Sequence, residues 1–163
     1  MARDRIALLI SPYFLPSNLA GVHRVRLMSE GLPAHGWRPV IVTVDAAHYE
    51  AGNDPSLANL IPAHVEIERV GAWPLSLARR VAVGDISLRA QWTLRRRVGE
   101  LVGRLQPDVV FATVLPGYTA LIGAWAKRRF KIPFVLDYQD PWVPDGSTTT
   151  RWDKAGVAQR LAR

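Results

Sequence analysis

An α/β fold, a Rossmann-like doubly wound parallel sheet flanked by helices, is what this sequence predicts, and three observations carry the expectation. Short apolar runs such as residues 6–10 and 109–113 lack polar alternation, as a parallel strand covered on both faces requires. Segments of helical period lie between these runs. Strand and helix therefore alternate along the chain, and that order implies crossover connections and a parallel sheet.

The elements follow in order. Ile6-Ala7-Leu8-Leu9-Ile10 is the first strand. A turn-rich loop with Pro12, Pro16 and Asn18 leads into a helix whose Gly21, Val25, Met28 and Leu32 share one face, and Gly36 is placed to end it. Residues 39–44 form a second strand, and 45–64 read as loop with a short helical turn. Residues 65–70 alternate strictly, which predicts a strand near a sheet edge with one solvated face. Residues 71–84 carry no assignment. A helix then runs to about Leu105, with Leu94, Val98, Leu101, Val102 and Leu105 inward, the arginines outward, and Pro107 closing it. Residues 109–113 are a fourth strand. Tyr118, Leu121, Ile122 and Trp125 mark a further helix, 134–138 a fifth strand, and 151–163 have helical composition.

The chain has 163 residues, enough for one domain with a core, and residues 1–163 are read as a single domain. It has no cysteine, which excludes disulfides and thiolate chemistry and fits a cytoplasmic location. The longest apolar run, 109–115, is too short to span a bilayer, and the apolar stretch after the charged start is a strand rather than an export signal. The net charge of +7 is concentrated in two segments. Arg79 to Arg104 holds seven arginines against Asp85 and Glu100, and Lys127 to Lys131 holds four cations and no acid. One reading is a patch facing an anionic partner, and the other is solvated helix faces.

Ligands of doubly wound sheets bind beyond the C-terminal ends of the strands, where strand order reverses. That rule selects residues 11–21, 114–117 (with Pro116 and Gly117) and 139–146. In the first, Asn18, Leu19, Ala20 and Gly21 run straight into a helix whose N-terminus offers amides and partial positive charge to an anion, with Arg24 one turn in. Gly21 serves equally well to pack helix on strand. In the third, Asp140 is read as a ligand contact, Asp137 as a turn cap, and Trp142 as a stacking platform or a buried ring. No lysine-bearing phosphate loop, three-glycine dinucleotide fingerprint, paired histidines or Asp-x-Asp pair is present.

Three stretches together resemble the N-terminal opening of retaining GT-B glycosyltransferases, the glycosyltransferase family 4-like group that includes bacterial lipid and polysaccharide transferases. They are Ile10-Ser11-Pro12-Tyr13-Phe14-Leu15-Pro16, then Ala20-Gly21 with Arg24, then residues 32–36 and the strand through Val44. Residues 107–111 and 132–142 also match, and the Asp140-Pro141-Trp142 sequence resembles one subgroup. The resemblance implies the N-terminal half of a GT-B fold that binds the acceptor and reaches the donor phosphates through Asn18, Ala20, Gly21 and Arg24. The partners implied are a nucleotide-sugar and a cell-envelope glycan or lipid-linked acceptor, with no metal and no cofactor.

Relatives place His then Asp where this chain has Gln139-Asp140. Glutamine hydrogen-bonds a sugar hydroxyl but is no acid or base near neutral pH, which argues against a histidine-assisted mechanism. Relatives also run to about twice this length, with a nucleotide-binding second domain and two glutamates eight positions apart, a spacing absent here. The expectation is a domain inactive alone, a fragment, an isolated domain, or half of an enzyme completed by a second chain. The basic segments with Trp73, Trp92 and Trp125 suit peripheral contact with an anionic membrane surface. Two alternatives are a non-catalytic glycan- or partner-binding module and a nucleic-acid-binding protein. The second is disfavoured because no helix-turn-helix, zinc or RNA-binding aromatic motif occurs.

Overall fold

The computed structural model describes residues 4–50, 52–80, 83–115 and 117–139. Five strands, β1 (Arg5–Ile10), β2 (Trp37–Val44), β3 (Glu66–Val70), β4 (Val109–Thr113) and β5 (Phe134–Asp137), pair in parallel in the order β3-β2-β1-β4-β5. Strand order reverses at β1, so the crevice of this doubly wound sheet lies between the C-terminal ends of β1 and β4. The two strands meet there through Thr113, whose Oγ1 lies 3.3 Å from Ser11 Oγ.

The missing alternation in β1 now has its cause. Leu8 and Ile10 pack with Val40, Val42 and Val110 against Leu94, Val98, Leu101, Ile122 and Ala126. Ala7 and Leu9 point the other way, packing with Ile41 against Phe14, Leu15, Val22 and Val25. Side chains alternate across a strand, so two buried faces demand apolar residues at every position. Burying Leu8, Leu9 and Ile10 completely contributes about 2 kcal/mol for each side chain.

Helix α1 (Ala20–Gly31) covers the second of these faces with Gly21, Val22 and Val25, while Met28 is half-buried. Proline cannot continue an α-helix, and Pro33 marks the change to a 3₁₀ turn over Leu32–His35. Gly36 ends that turn in the left-handed conformation, at φ 73°, as its sequence position predicts. The other face is covered by α4 (Gln91–Leu105) and α5 (Ala120–Phe130), preceded by the short helices α2 (Leu75–Arg79) and α3 (Ile86–Arg89). The helix expected to run unbroken to Leu105 is therefore two helices, α3 and α4, joined at Ala90. Asp85 caps the start of α3 by accepting from the Ser87 and Leu88 amides. Helix α5 lies close on β5: a Cβ at Gly123 would sit 2.9 Å from the Phe134 ring, a contact only glycine avoids.

β3 is an edge strand, as its alternation predicts, but its polar face is covered rather than solvated. Glu68 receives Arg97 at 2.5 Å and Arg104 at 3.1 Å, both from α4, and Glu66 pairs with Arg38 and Arg104. The expectation that the arginines of α4 all face solvent is corrected by the same contacts. Arg89 departs further. It is buried, donating to Glu50 at 2.9 Å and to the Trp73 and His48 carbonyls.

Candidate functional site

The loop after β1 is held by one of its own side chains and by the segment that follows β2. Ser11 Oγ donates to the Tyr13 carbonyl at 2.7 Å, and the Phe14 amide donates to Tyr49 Oη at 2.9 Å. The Tyr13 and Tyr49 rings pack with centroids 4.9 Å apart. The Asn18 amide donates to the Gly52 carbonyl at 2.6 Å, and the Asp54 amide to that of Pro16. These contacts fix where α1 begins. Leu19 is its N-cap and supplies no side-chain hydrogen bond, so the first amides of the helix lack that partner.

Beside that N-terminus three predicted site positions, Gly21, Arg24 and Gln139, converge with Asp137. Gln139, just beyond β5, lies over Gly21: a Cβ there would sit 3.2 Å from Gln139 Oε1 and 3.5 Å from Leu115. Gln139 Nε2 is 3.5 Å from the Gly21 carbonyl and donates to Asp137 Oδ2 at 3.2 Å. The same oxygen accepts from Arg24 Nε at 3.1 Å. Gly21 thus lets the end of β5 approach α1, and the close approach by a side chain 118 positions away joins the first and third predicted loops.

Two expectations change here. Asp137, expected to cap a turn, bridges Arg24 and Gln139 instead. Arg24, placed by the sequence to add a full charge one turn into the helix, is ion-paired with that carboxylate, although its side chain remains 54% exposed. Asn18 is not part of this cluster, because its amide is committed to Gly52. Ala20 is exposed at the first turn of α1, and Gly117 opens a 3₁₀ turn before α5. Pro116, Asp140 and Trp142 lie outside the described residues, as does the tail at 151–163.

The basic segments separate into paired and unpaired charge. Arg96, Arg97 and Arg104 are matched by Glu66, Glu68 and Glu100. Arg95 instead lies over the Trp125 ring, 5.8 Å from its centroid, in a groove also lined by Trp92, Arg96 and Gly99. Its pKa is lowered first by burial and then by the Arg128 charge, so two cations face each other across α4 and α5. Lys127, Arg128, Arg129 and Lys131 are exposed. Trp73 and Trp92 are exposed and Trp125 half-buried. No described helix is long and apolar enough to cross a membrane, and no metal-binding cluster occurs among the described residues.

A five-stranded parallel sheet with a central strand reversal and flanking helices defines a Rossmann-like unit of the kind that forms the N-terminal half of a GT-B glycosyltransferase. The glycosyl transferase 4-like domain family matches residues 20–163, and the chain belongs to that family. No curated protein matches the chain. Among solved structures, the chain is similar to UGT2 of Phytolacca americana complexed with UDP-2fluoro-glucose and pterostilbene (TM-score 0.52, 15% identity, 85% of this chain, 31% of that one). It is also similar to the glycotransferase of kitacinnamycin (TM-score 0.52, 19% identity, 83% and 30%). TcCGT1 in complex with UDP gives a TM-score of 0.53 at 13% identity, over 86% and 29%. At these identities the likeness is one of fold, and the chain spans about three-tenths of the length of these structures.

Proposed function

We propose that this chain is the acceptor-side domain of a retaining glycosyltransferase of the Asp-Pro-Trp subgroup. It moves a sugar from a nucleotide-sugar to a cell-envelope glycan or lipid-linked acceptor, and it requires a second, nucleotide-binding domain. The carrying observation is the convergence of Gly21, Arg24, Asp137 and Gln139 at the N-terminus of α1, beside the strand reversal. In this reading the Ala20 and Gly21 amides and the Arg24 charge receive the departing diphosphate, whose negative charge the helix terminus favours. An arriving phosphate competes with Asp137 for Arg24. Gln139 hydrogen-bonds a hydroxyl of the transferring sugar through its amide and takes no proton. Asp140 and Trp142 are assigned to the same site by their place in the matching stretch after β5, Pro116 and Gly117 by their place after β4, and Asn18 supports the loop through Gly52. No metal is required, because amide groups and an arginine supply the positive charge.

Calorimetric titration of the purified chain with UDP and GDP tests the division of labour. Binding is expected to be absent or millimolar, since the nucleotide site belongs to the second domain. Micromolar binding would place that site on this chain and sink the reading.

A further inference from the structure

A cavity of about 260 Å³ opens at the C-terminal ends of β1 and β4, lined in part by Leu115, which also lies 3.5 Å from the position where a Gly21 Cβ would sit. Tyr13, Leu19, Ile86 and Leu115 give it apolar walls, and Glu50 and Asp85 add two carboxylates. We propose that this cavity is the subsite for one uncharged sugar ring of the acceptor, and that it excludes anionic rings. The inference rests on the glycosyltransferase reading above.

Size, wall and charge each support it. The volume lies just below the roughly 300–1,000 Å³ typical of drug-sized ligand sites, so it suits a single ring rather than a chain. A sugar ring has an apolar C–H face for the Tyr13, Leu19 and Leu115 walls, and hydroxyls that donate to carboxylates. Both carboxylates are already fixed. Asp85 accepts from the Ser87 and Leu88 amides and the Ser87 hydroxyl, and Glu50 accepts from buried Arg89. Little ordering therefore remains to oppose binding. The Tyr13 hydroxyl is held protonated first by burial and then by the Glu50 and Asp85 charges, so it stays an uncharged donor. A carboxylate or phosphate entering the cavity meets two acidic groups against one arginine, whereas a neutral hydroxyl meets acceptors. Because Leu115 is shared with the Gly21–Gln139 cluster, a ring held here lies beside the proposed donor phosphate position.

Saturation-transfer NMR on the purified chain tests this, using the methyl glycosides of glucose, galactose and mannose beside glucuronate, galacturonate and inorganic phosphate. At least one neutral glycoside is expected to saturate in the millimolar range, with the uronates about tenfold weaker or silent. Leu19→Trp and Leu115→Trp, each made from an exposed residue, fill the cavity and are expected to remove the signal while retaining the circular-dichroism melt. If one variant fails to fold, the other decides. Silence from all three glycosides, uronate binding as tight as the neutral rings, or undiminished binding in a folded tryptophan variant overturns the proposal. Micromolar UDP binding in the separate titration overturns the division of labour instead, so the two failures are told apart.

Discussion

Arg89 carries more of the structure than its place in a run of arginines suggests. Its side chain is 1% exposed and ties its own helix to two other segments, through Glu50 and the His48 carbonyl in one and the Trp73 carbonyl in the other. Removing one member of a buried ion pair leaves an uncompensated partner and costs about 3–5 kcal/mol. Glu50 retains some solvent, so Arg89→Met is expected to fall at the low end, near 3 kcal/mol, and to lower Tm by roughly 6–12 °C. A melt within 2 °C of the parent, about the shift of 1 kcal/mol or less, would show that the pair contributes little. Gly21 teaches a related lesson about what a sequence displays. Its position before a helix is legible, but its choice between packing and ligand approach turns on Gln139, which no local pattern links to it. Glu50 and Asp85 escaped notice as site residues for the same reason, since Glu50 meets Arg89 39 positions away. The Asp85-x-Ser87 capping signal was there to be read, but it announces a helix start and not a cavity.

At the scale of elements, β3 and α4 are joined by charge as much as by apolar contact. Glu68 lies between Arg97 and Arg104, and the Arg97 hydrogen bond chiefly holds its pKa below the ordinary carboxylate value. A depressed folded-state pKa contributes stability that is present above the unfolded-state value and lost as pH falls through the folded one. Glu68→Gln is therefore expected to cost about 1 kcal/mol in urea unfolding at neutral pH, and nothing at a pH below both values. An equal loss at both pH values would assign the effect to packing rather than ionisation. The sequence made the existence of all five strands legible, because two-sided burial writes β1, β2 and β4 as apolar runs and the edge strand β3 shows as an alternation. The α3–α4 break and the covering of the β3 glutamates were not legible. Both depend on pairing between residues far apart in the chain, such as Arg97 with Glu68.

Across the whole molecule, the net charge of +7 is an uneven residue of this pairing. The α4 arginines are largely answered by glutamates, whereas Arg95 lies over half-buried Trp125 in a groove shared with exposed Trp92, and the exposed cations of Lys127 to Lys131 follow Trp125 in the chain. Vesicle flotation is expected to recover the chain with anionic lipid and not with neutral lipid, and added salt is expected to weaken the binding. Equal recovery with both lipids would remove the support that the basic segments give to peripheral contact with an anionic membrane. The sheet itself has a different consequence for its history. An interior apolar on both faces stores little information about register, because a strand slipped by one residue exchanges one greasy face for another. What distinguishes the native alignment is a few polar rungs at the strand ends. They include Asp108 Oδ2 receiving the Ile6 amide at 2.8 Å and Thr113 against Ser11, both between β1 and β4. Substitution among Val, Ile and Leu can therefore wander through the interior over generations, while the rungs hold each strand to its neighbour.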